Sequence, residues 1–454
     1  MQPRTPGNSP GGATTEPPKS LLPVLQETKG GSYFVSNYPP YSYWSRERVA
    51  EALAVLDSPP EPDTPLGIYL HIPFCRKRCH FCYFKVYTDK NAPEVERYID
   101  SVAAELRTFA AKPVLGGRKP RFIYFGGGTP SYISSRQLRH LVESMKEAVA
   151  WDEAEEITFE CEPGTLTEGK LSAIRDLGIT RLSLGIENFD DTILQNNGRA
   201  HASREIDRAY TFARSIGFPQ INIDLIAGMV GETEENWREC IRRTVDMSPD
   251  SVTIYQMEVP YNTTIFKDMK VHGTSVAPVA SWKQKREWVA YGFSELERAG
   301  YTVGSAYTAV KDAGRARFVY RDRLWHGADM IGLGVASFSH VQGVHFQNEP
   351  DFDPYCQRVT DGEIPIYRAL APTREERMIR EFILQLKLGR LDAGYFREKF
   401  DTDIRQRFAV PLSQLQASGV AVVDSLGVQL TRDGLLQVDG LLPLFFLPQH
   451  NEHS

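Results

Sequence analysis

The sequence predicts an α/β protein, a partial and open (β/α)6 barrel followed by a C-terminal helical, winged-helix-like domain. From Leu66 onward, short apolar runs alternate with amphipathic helices, which is the pattern of a parallel sheet with crossover helices. Motifs rich in Cys, Gly and acidic residues follow these runs, and sites in such sheets gather at the carboxyl ends of the strands. After Pro372 the pattern changes to helices followed by a short hairpin.

Composition excludes several classes of protein. The 454 residues suffice for two or three domains, and the net charge of -6 provides no overall basic field for nucleic acid. Six cysteines in so long a chain suit a reducing compartment rather than a disulfide scaffold. No apolar run is long enough to span a bilayer, and the N-terminus lacks a secretion signal. We therefore expect a cytoplasmic protein with neither nucleic acid nor membrane as partner.

The N-terminal part is expected to contain no domain of its own. Residues 1–31 are rich in Pro, Gly, Ser and Thr, which predicts a disordered tail. Residues 32–65 include an aromatic cluster at 37–44 and are expected to form a strap packed on the barrel. Because this segment leads into the first strand, a lid over the site is the alternative.

The barrel itself is predicted over residues 66–260. Apolar side chains recur at helical spacing over 95–109, which predicts an amphipathic helix between the first two strands. The predicted strands are 68–71, 122–125, 157–160, 181–184, 221–226 and 252–256.

Two further segments complete the chain. Residues 261–371 are expected to extend the barrel, with a helix over 281–298. Residues 372–454 read as helices and a hairpin at 420–430, which predicts the winged-helix-like domain. This segment carries no strong basic excess, so a structural or substrate-covering role is favoured over DNA binding.

Three cysteines form the most informative motif. Cys75, Cys79 and Cys82 have C-x3-C-x2-C spacing directly after the first predicted strand. Thiolates select iron–sulfur clusters, zinc or Cu(I), and three of them would leave one iron of a [4Fe–4S] cluster open. A zinc site completed by His71 or His80 is the alternative. A disulfide is disfavoured because three clustered thiols cannot pair evenly.

A glycine-rich motif follows the second predicted strand. Residues 126–130 read Gly-Gly-Gly-Thr-Pro, a bare backbone that permits positive φ and close approach of a ligand, with the Thr129 hydroxyl beside it. A dinucleotide fingerprint is excluded because Ser131 occupies the place of its third glycine. A tight turn without a ligand explains this motif equally well.

The cysteine motif resembles a known signature. HIPF before the first Cys and an aromatic residue before the third are similar to the signature of the radical S-adenosylmethionine (SAM) superfamily. Residues 69–75 (YLHIPFC) and 79–82 (CHFC) resemble the branch of the oxygen-independent coproporphyrinogen oxidase. That branch also includes a heme chaperone and the class C radical methyltransferases.

Two positions depart from the oxidase pattern. Phe84 stands where the oxidase has a further Cys, and Glu187 stands where it has Gln. Residues 82–91 also look more like the class C methyltransferases than the oxidase. These departures point away from coproporphyrinogen as the substrate.

The resemblance implies a [4Fe–4S] cluster and SAM as cofactors. Cys75, Cys79 and Cys82 would ligate the cluster, which cleaves SAM to a 5′-deoxyadenosyl radical. In the family the GGGTP motif binds the amino group and carboxylate of SAM. Since the oxidase holds two SAM molecules, two are expected here. The cofactor contacts implied by matching positions are Tyr69, Phe81, Gly127, Gly128, Thr129, Glu160, Glu187, Arg199 and Asp224, with weaker matches at Met257 and Phe338.

Other interpretations of these residues stay open. The charged residues among them could form a salt-bridge network around the barrel mouth, and Tyr69 could be a core residue. His201, His326 and His340 are interpreted as structural histidines, so the sequence identifies no general acid or base.

The resemblance implies three functions. A class C-type methyltransferase that methylates or cyclopropanates an sp2 carbon of a small molecule is the leading hypothesis. An oxidase-like decarboxylase of a tetrapyrrole is the first alternative. A heme chaperone is the second, although residues 320–325 match its HNxxYW-like stretch poorly. The expected partners are an aromatic, alkene or tetrapyrrole substrate and an electron donor such as flavodoxin or ferredoxin.

Overall fold

A long mixed sheet forms the body of the chain in the computed structural model, which describes residues 27–32 and 34–451. Its strands are β1 (Leu66–Ile72), β2 (Phe122–Gly127), β3 (Glu156–Cys161), β4 (Arg181–Glu187), β5 (Gln220–Ala227), β6 (Ser251–Gln256), β7 (Thr302–Val303), β8 (Thr308–Val310), β9 (Asp329–Leu333), β10 (Phe338–Val341), β11 (Val344–Asn348) and β12 (Ile366–Leu370). A second, three-stranded sheet contains β13 (Arg390–Asp392), β14 (Ala421–Val423) and β15 (Gly427–Leu430).

Helices cover the large sheet and build the C-terminal part. Those that precede residue 372 are α1 (Val49–Leu56), α2 (Ala92–Ala110), α3 (Ser135–Ala148), α4 (Glu168–Asp176), α5 (Asp191–Asn196), α6 (Ser203–Ser215), α7 (Glu234–Met247), α8 (Thr264–His272), α9 (Trp282–Arg298), α10 (Val319–Trp325) and α11 (Phe352–Thr360). The C-terminal helices are α12 (Arg374–Leu386), α13 (Ala393–Phe400), α14 (Ile404–Arg407), α15 (Ala409–Ala417), α16 (Arg432–Leu436) and α17 (Val438–Leu441).

The strand order confirms the predicted α/β barrel and adds strands on both sides of the six predicted ones. β1 to β6 lie side by side in sequence order and pair in parallel, and each contains its predicted strand. The structure adds β9, which pairs in parallel with β1 on its free edge. Antiparallel strands β10, β11 and β12 continue that side, while β8 and β7 close the other. The sheet is therefore mixed, with a run of seven parallel strands, β9 and β1 to β6, at its centre.

Alternation along the strands separates the core from the barrel interior. On β4, Leu182 and Leu184 are buried in the hydrophobic core, whereas Ser183 between them lines the interior cavity. Asp224 on β5 and Thr253 on β6 also line the cavity and are register partners. The apolar side chains pack between the sheet and helices such as α2, while the polar side chains lie on the other face of the sheet and line the cavity.

Helix α2 begins where its sequence requires. Asn91 accepts a hydrogen bond from the backbone of Glu94, whose side chain accepts one from the backbone of Asn91 in return. Ile99, Val102 and Leu106 are buried on the face that packs against the sheet. The predicted helix over 95–109 lies within these bounds.

The structure also describes residues 27–31, the end of the predicted disordered tail. Thr28 is buried and accepts a hydrogen bond from Lys285 Nζ at 2.6 Å. The backbone N–H of Gly31 donates to Val259 O at 2.8 Å. These residues are therefore held against the barrel, in contrast to the prediction, because a lysine buried on α9 needs polar partners. Residues 1–26 lie outside the described residues.

The C-terminal part has its own core and is tied to the strap. Phe382 of α12 packs its ring against Phe396, Phe408 and Phe445. The buried Lys387 donates to Val35 O at 2.5 Å and lies 2.8 Å from Asp439 Oδ1. This lysine thus connects the strap to the helices that the sequence predicts as a separate domain. No described helix is both long and apolar enough to cross a bilayer.

A buried carboxylate joins α2 to the strands beside β1. Glu105 is fully buried and accepts hydrogen bonds from the Gly334 N–H at 2.8 Å, Asn348 Nδ2 at 2.5 Å and the Tyr355 hydroxyl at 2.5 Å. The Tyr98 hydroxyl on the same helix donates to His71 O, at the end of β1, at 2.7 Å. The helix therefore fixes the strand that leads into the cysteines.

Replacing Glu105 by Gln tests this network through its pH dependence. Burial raises the pKa of Glu105 from its usual 4.5 to about 7, although the three donors oppose the shift. The folded protein thus keeps a proton that the unfolded chain has lost, and this contribution to stability, complete below pH 4.5, declines toward pH 7. We expect the free energy of unfolding of Glu105→Gln to fall less across this range than that of the wild type. Denaturant titrations at several pH values measure the difference, and parallel curves would contradict it.

Candidate active site

The three cysteines lie in a loop that is fixed on both sides. After β1 the Cys75 N–H donates to Tyr87 O at 3.1 Å, and the Tyr87 N–H donates to Pro73 O at 2.7 Å. Further along the loop, the His80 N–H donates to Asn197 O at 3.0 Å. The loop is thereby held between the end of β1 and the segment that follows α5.

The thiols fit an iron–sulfur cluster better than a single ion. All three are free, with Cys75 buried and the other two half-buried. Among the residues that the structure describes, no group of three or more His, Cys, Asp or Glu is placed to hold one metal ion. In a [4Fe–4S] cluster each thiolate ligates a different iron, so separated thiols suit it. Burial raises the pKa of the Cys75 thiol to about 12, so its thiolate needs the positive charge that a cluster supplies when bound.

The two histidines of the zinc alternative have other partners. His71 is buried between the Tyr69 hydroxyl, 3.3 Å from its Nδ1, and Lys85 O, 3.4 Å from its Nε2. Burial lowers its pKa to about 4. His80 places its Nδ1 3.0 Å from Asn196 O. Both rings are therefore used in fixing the loop.

The glycine motif packs directly against the cysteine loop. Gly127 has φ of +112°, and a Cβ there would lie 2.6 Å from His71 Nδ1. A Cβ on Gly128 would lie 3.1 Å from Cys75 Sγ. The Thr129 hydroxyl donates to the same sulfur at 3.3 Å. The motif therefore packs against the thiols as a ligand-binding loop would, and its binding of SAM stays a prediction.

Three half-buried carboxylates lie at the strand ends. Glu160 accepts from the Tyr124 hydroxyl at 2.6 Å and from the Gly127 N–H at 3.2 Å, and burial raises its pKa to about 7. Asp224 accepts from the Ser183 hydroxyl at 2.8 Å, and burial raises its pKa as well. The third is Glu187, with a pKa raised to about 7 by burial. Such a group of acids would bind a cation or hydroxyl groups.

Glu187 occupies an irregular position next to Arg199. It has φ of +66°, unusual for a residue other than glycine, and lies at a register shift between β4 and β5. Its Oε1 lies 3.6 Å from Arg199 Nη1, which is also 3.4 Å from Cys79 Sγ. Arg199 Nη2 donates to Gly185 O at 2.6 Å, while its Nε is buried without a partner among the described residues. Glu187 and Arg199 thus form part of the salt-bridge network that was the alternative interpretation, while Arg199 Nε is not used by it.

One cavity contains every predicted site residue. It has a volume of about 1750 Å³ and reaches from the cysteine loop to the strap and the C-terminal helices. Phe81 and Met257 pack together on one wall, and Phe338 lies on another, 4.6 Å from the Tyr41 ring between centroids. The predicted residues on its lining are Tyr69, Cys75, Cys79, Phe81, Cys82, Gly127, Gly128, Thr129, Glu160, Glu187, Arg199, Asp224, Met257 and Phe338.

Sequence reasoning missed one charged residue of the site. Glu162 accepts from Arg76 Nη2 at 2.8 Å, and its Oε1 lies 3.3 Å from His201 Nδ1. It lies in the Glu-Cys-Glu-Pro stretch that ends β3, and that acidic spacing was the available signal. His201, interpreted from the sequence as structural, thus contacts a group that supports the cysteine loop. His326 is exposed and places its Nδ1 2.6 Å from Asp322 O.

Comparisons with known proteins agree on the type of site. Residues 69–244 match the radical SAM superfamily, and residues 373–436 match the HemN C-terminal domain. The oxygen-independent coproporphyrinogen III oxidase of Escherichia coli is 27% identical over 398 residues, which cover 85% of this chain and 86% of that protein. The heme chaperone HemW of Bacillus subtilis is 26% identical over 373 residues, covering 81% and 96%.

A solved structure extends the similarity to three dimensions. The coproporphyrinogen III oxidase HemN of Escherichia coli, described as a radical SAM enzyme, superposes with a TM-score of 0.78 at 26% identity. The match covers 90% of this chain and 96% of that chain.

These findings correct the leading functional hypothesis. The prediction of a class C-type methyltransferase is wrong, because the similarity that extends over most of the chain is to the oxidase and the heme chaperone. The structure shows why Phe84 was given too much weight. Phe84 is 43% exposed beside Tyr83, whereas Cys75 is buried and Cys79 and Cys82 are half-buried. A cysteine at that position is therefore not needed to hold a cluster.

Replacing Cys75 by Ala tests the assignment of the thiols. We expect anaerobically reconstituted wild-type protein to hold about four irons per chain and the variant to lose nearly all of them, since two thiolates hold a cluster poorly. Iron and sulfide analysis with visible absorption measures this. Cys356→Ala, a change at a buried thiol on α11, serves as the control and should leave the iron content unaltered. Zinc without iron in the wild type, or full iron in Cys75→Ala, would refute the assignment.

Proposed function

Because the chain belongs to the radical SAM superfamily and carries a HemN C-terminal domain, we propose that it is a radical oxidoreductase of the oxygen-independent coproporphyrinogen III oxidase type. Its proposed reaction is oxidative decarboxylation of a propionate side chain of a tetrapyrrole to a vinyl group, in which a hydrogen atom is removed from the side chain, the carboxylate leaves as CO₂ and the remaining electron passes to a one-electron acceptor. The supporting observation is the single cavity of about 1750 Å³ that joins the cysteine loop to the C-terminal helices. A typical ligand pocket has a volume of roughly 300–1,000 Å³, so this one has room for both SAM and a large substrate.

The lining of the cavity supports a planar, anionic substrate. Aromatic side chains provide flat apolar surfaces of the kind that pack against pyrrole rings. Arginines on the same lining suit carboxylates through their planar, forked donors. The aromatic residues include Tyr41, Trp44, Tyr83, Phe84, Tyr255, Tyr307, Phe318, Tyr320, Trp325 and Phe338, and the arginines outside the cysteine loop are Arg199 beside Cys79 and, further from that loop, Arg181, Arg286, Arg321 and Arg380.

Different residues of the site have different proposed roles. When bound, the reduced cluster and SAM supply a 5′-deoxyadenosyl radical that removes hydrogen from the substrate. Cys75, Cys79 and Cys82 would hold the cluster, and the Thr129 hydroxyl orients the first of these sulfurs. With a pKa near 7, Glu160 can keep or release a proton at neutral pH while it remains bound to Tyr124. The C-terminal helices, which supply part of the cavity wall, would limit access of water.

The proposal includes two SAM molecules. The half-buried acids at the strand ends can bind an ammonium or ribose hydroxyls, and Arg199 Nε, which has no partner among the described residues, can donate to a carboxylate. The cluster and a first SAM molecule are assigned to the three thiols and the glycine motif, so these further groups are available for a second SAM molecule. The residues proposed to contact SAM are the eleven that the sequence predicts: Tyr69, Phe81, Gly127, Gly128, Thr129, Glu160, Glu187, Arg199, Asp224, Met257 and Phe338.

The proposed reductant is a small acidic electron carrier such as flavodoxin or ferredoxin. Lys77 lies within the cysteine loop and is exposed, so the chain presents positive charge next to the thiols. Six free cysteines and such a reductant suit the cytoplasm as the proposed location.

Turnover with labelled coproporphyrinogen III tests the proposed reaction. Reduced, reconstituted protein with SAM should release ¹³CO₂ from the carboxyl-labelled propionates under single-turnover conditions, together with 5′-deoxyadenosine. Mass spectrometry of both products measures the reaction, and Cys75→Ala protein serves as the blank. Cleavage of SAM without ¹³CO₂ would refute this substrate. Tight heme binding with no turnover would instead indicate the function of the chaperone relative.

The number of SAM molecules can be measured directly. Equilibrium dialysis of the reconstituted protein should saturate at two SAM per chain. Asp224→Asn should weaken binding by about tenfold at one site or more, because a hydrogen bond to a buried charge is stronger than one to a neutral group. Asp403→Asn, a change at an ion pair in the C-terminal part, is the control and should leave binding as in the wild type. Saturation at one molecule would contradict the proposal.

A further inference from the structure

A buried arginine on the cavity wall lacks an acidic partner. Arg380 of α12 is 3% exposed and lines the cavity, yet no carboxylate in the described part of the chain lies within ion-pair distance of it. Its Nε donates to Asn37 Oδ1 at 2.8 Å and its Nη1 to Leu324 O at 3.4 Å. Nη2 makes no hydrogen bond to any described residue. The adjacent Glu381 instead pairs with Lys399, at 2.8 Å.

A buried guanidinium without a nearby carboxylate is unfavourable unless an anion binds beside it. A buried cation without a counter-ion costs several kcal/mol, and replacement by an apolar side chain is often neutral or stabilising. Burial lowers the pKa of Arg380 to about 10, so the guanidinium remains charged at neutral pH. The wall therefore carries a fixed positive charge for which no described carboxylate lies within ion-pair distance.

A neutral histidine next to it offers a second donor. Asn37 Oδ1 accepts from Arg380, so its Nδ2 faces His345 Nδ1 at 3.5 Å, and a hydrogen bond between these two nitrogens would leave the ring proton on Nε2. That Nε2 is buried and has no partner among the described residues, and His345 lines the same cavity. Arg380 and His345 thus flank Asn37, and Arg380 Nη2 and His345 Nε2 make no hydrogen bond to a described residue.

Aromatic rings frame these donors. The Trp44 ring stacks on His345 at a centroid distance of 5.2 Å and an angle of 15°. Tyr41 packs against Phe338, and both line the cavity. Beside the two donors the wall is therefore flat and apolar, which fits an aromatic ring system that carries a carboxylate.

We propose that Arg380 and His345, held apart by Asn37, bind a carboxylate of the planar substrate and so anchor it by a group on its periphery. This anchor rests on the proposed function, because a tetrapyrrole with propionate side chains supplies both the ring system and the carboxylate. It lies on α12 and β11, away from the strand ends that carry the cysteines and acids. The C-terminal part and the strap would then select anionic substrates.

The test compares one ring system with and without its charges. The probes are coproporphyrin III, which has four carboxylates, and its tetramethyl ester, whose fluorescence reports binding to the reconstituted protein. Wild-type protein should bind the acid at least about tenfold more tightly than the ester, since bonds to charged groups are the stronger ones. Arg380→Met should lose that preference by weakening the acid alone.

Two further variants keep the test decisive. Arg377→Met changes an arginine one turn earlier on α12 that does not line the cavity, so it should bind both probes as the wild type does. His345→Phe keeps a flat ring and removes the donor, and we expect it to weaken the acid about threefold or more. If circular dichroism and iron content show that Arg380→Met does not fold, His345→Phe alone tests the proposal.

The outcomes separate the anchor from the reaction. Equal affinity of the wild type for acid and ester, or unchanged affinity for the acid in both Arg380→Met and His345→Phe, would overturn the anchor. Release of ¹³CO₂ from coproporphyrinogen III by the wild type would, in that case, leave the proposed function standing. If the wild type neither binds the acid nor releases ¹³CO₂, the proposed function is wrong and the anchor is wrong with it.

Discussion

The carboxylate of Glu162 joins the cysteine loop to the rest of the barrel mouth. Burial acts to raise its pKa, but hydrogen bonds from His201 and Arg76 hold it at about 2, so the group is ionised at neutral pH. Its backbone N–H donates to the Ser131 hydroxyl at 3.0 Å, next to the glycine motif. Glu162 thus connects three segments, two through its carboxylate and one through its backbone N–H. Loss of a single partner would leave a buried charge uncompensated, and this makes the arrangement all-or-none.

That constraint explains how a loop with exposed neighbours can present three ordered thiols. Cys75 is fixed by the backbone of Tyr87 and by the Thr129 hydroxyl, while Cys79 lies beside Arg199. The strand ends around them carry Glu160, Glu187 and Asp224, whose pKa values are all raised by burial. Such a concentration of buried polar groups lowers stability, so its presence at one edge of the sheet indicates selection for binding.

Local patterns in the sequence predicted the parts of this molecule that depend on local physics. Strand alternation and helical spacing place β1 to β6 and α2 correctly, because each depends on neighbours a few residues away. The seventh parallel strand, β9, was missed, since its pairing with β1 joins residues more than 250 positions apart. The contacts of Asn37 with His345 and Arg380 were missed for the same reason. At Phe84, one substitution was given more weight than the similarity of the whole chain.

The C-terminal part is best understood as a wall of the site. Gln256, the last residue of β6, donates to Leu436 O at 3.0 Å, and the Tyr307 hydroxyl donates to Asp439 at 2.5 Å. Asp439 also pairs with Lys387, which reaches the strap at Val35 O. Leu436 and Asp439 both line the cavity, so these bonds connect barrel, strap and C-terminal helices around one volume. Because the C-terminal part is bonded to the barrel and the strap and lines the cavity, its contacts favour the proposed role of covering the substrate over DNA binding.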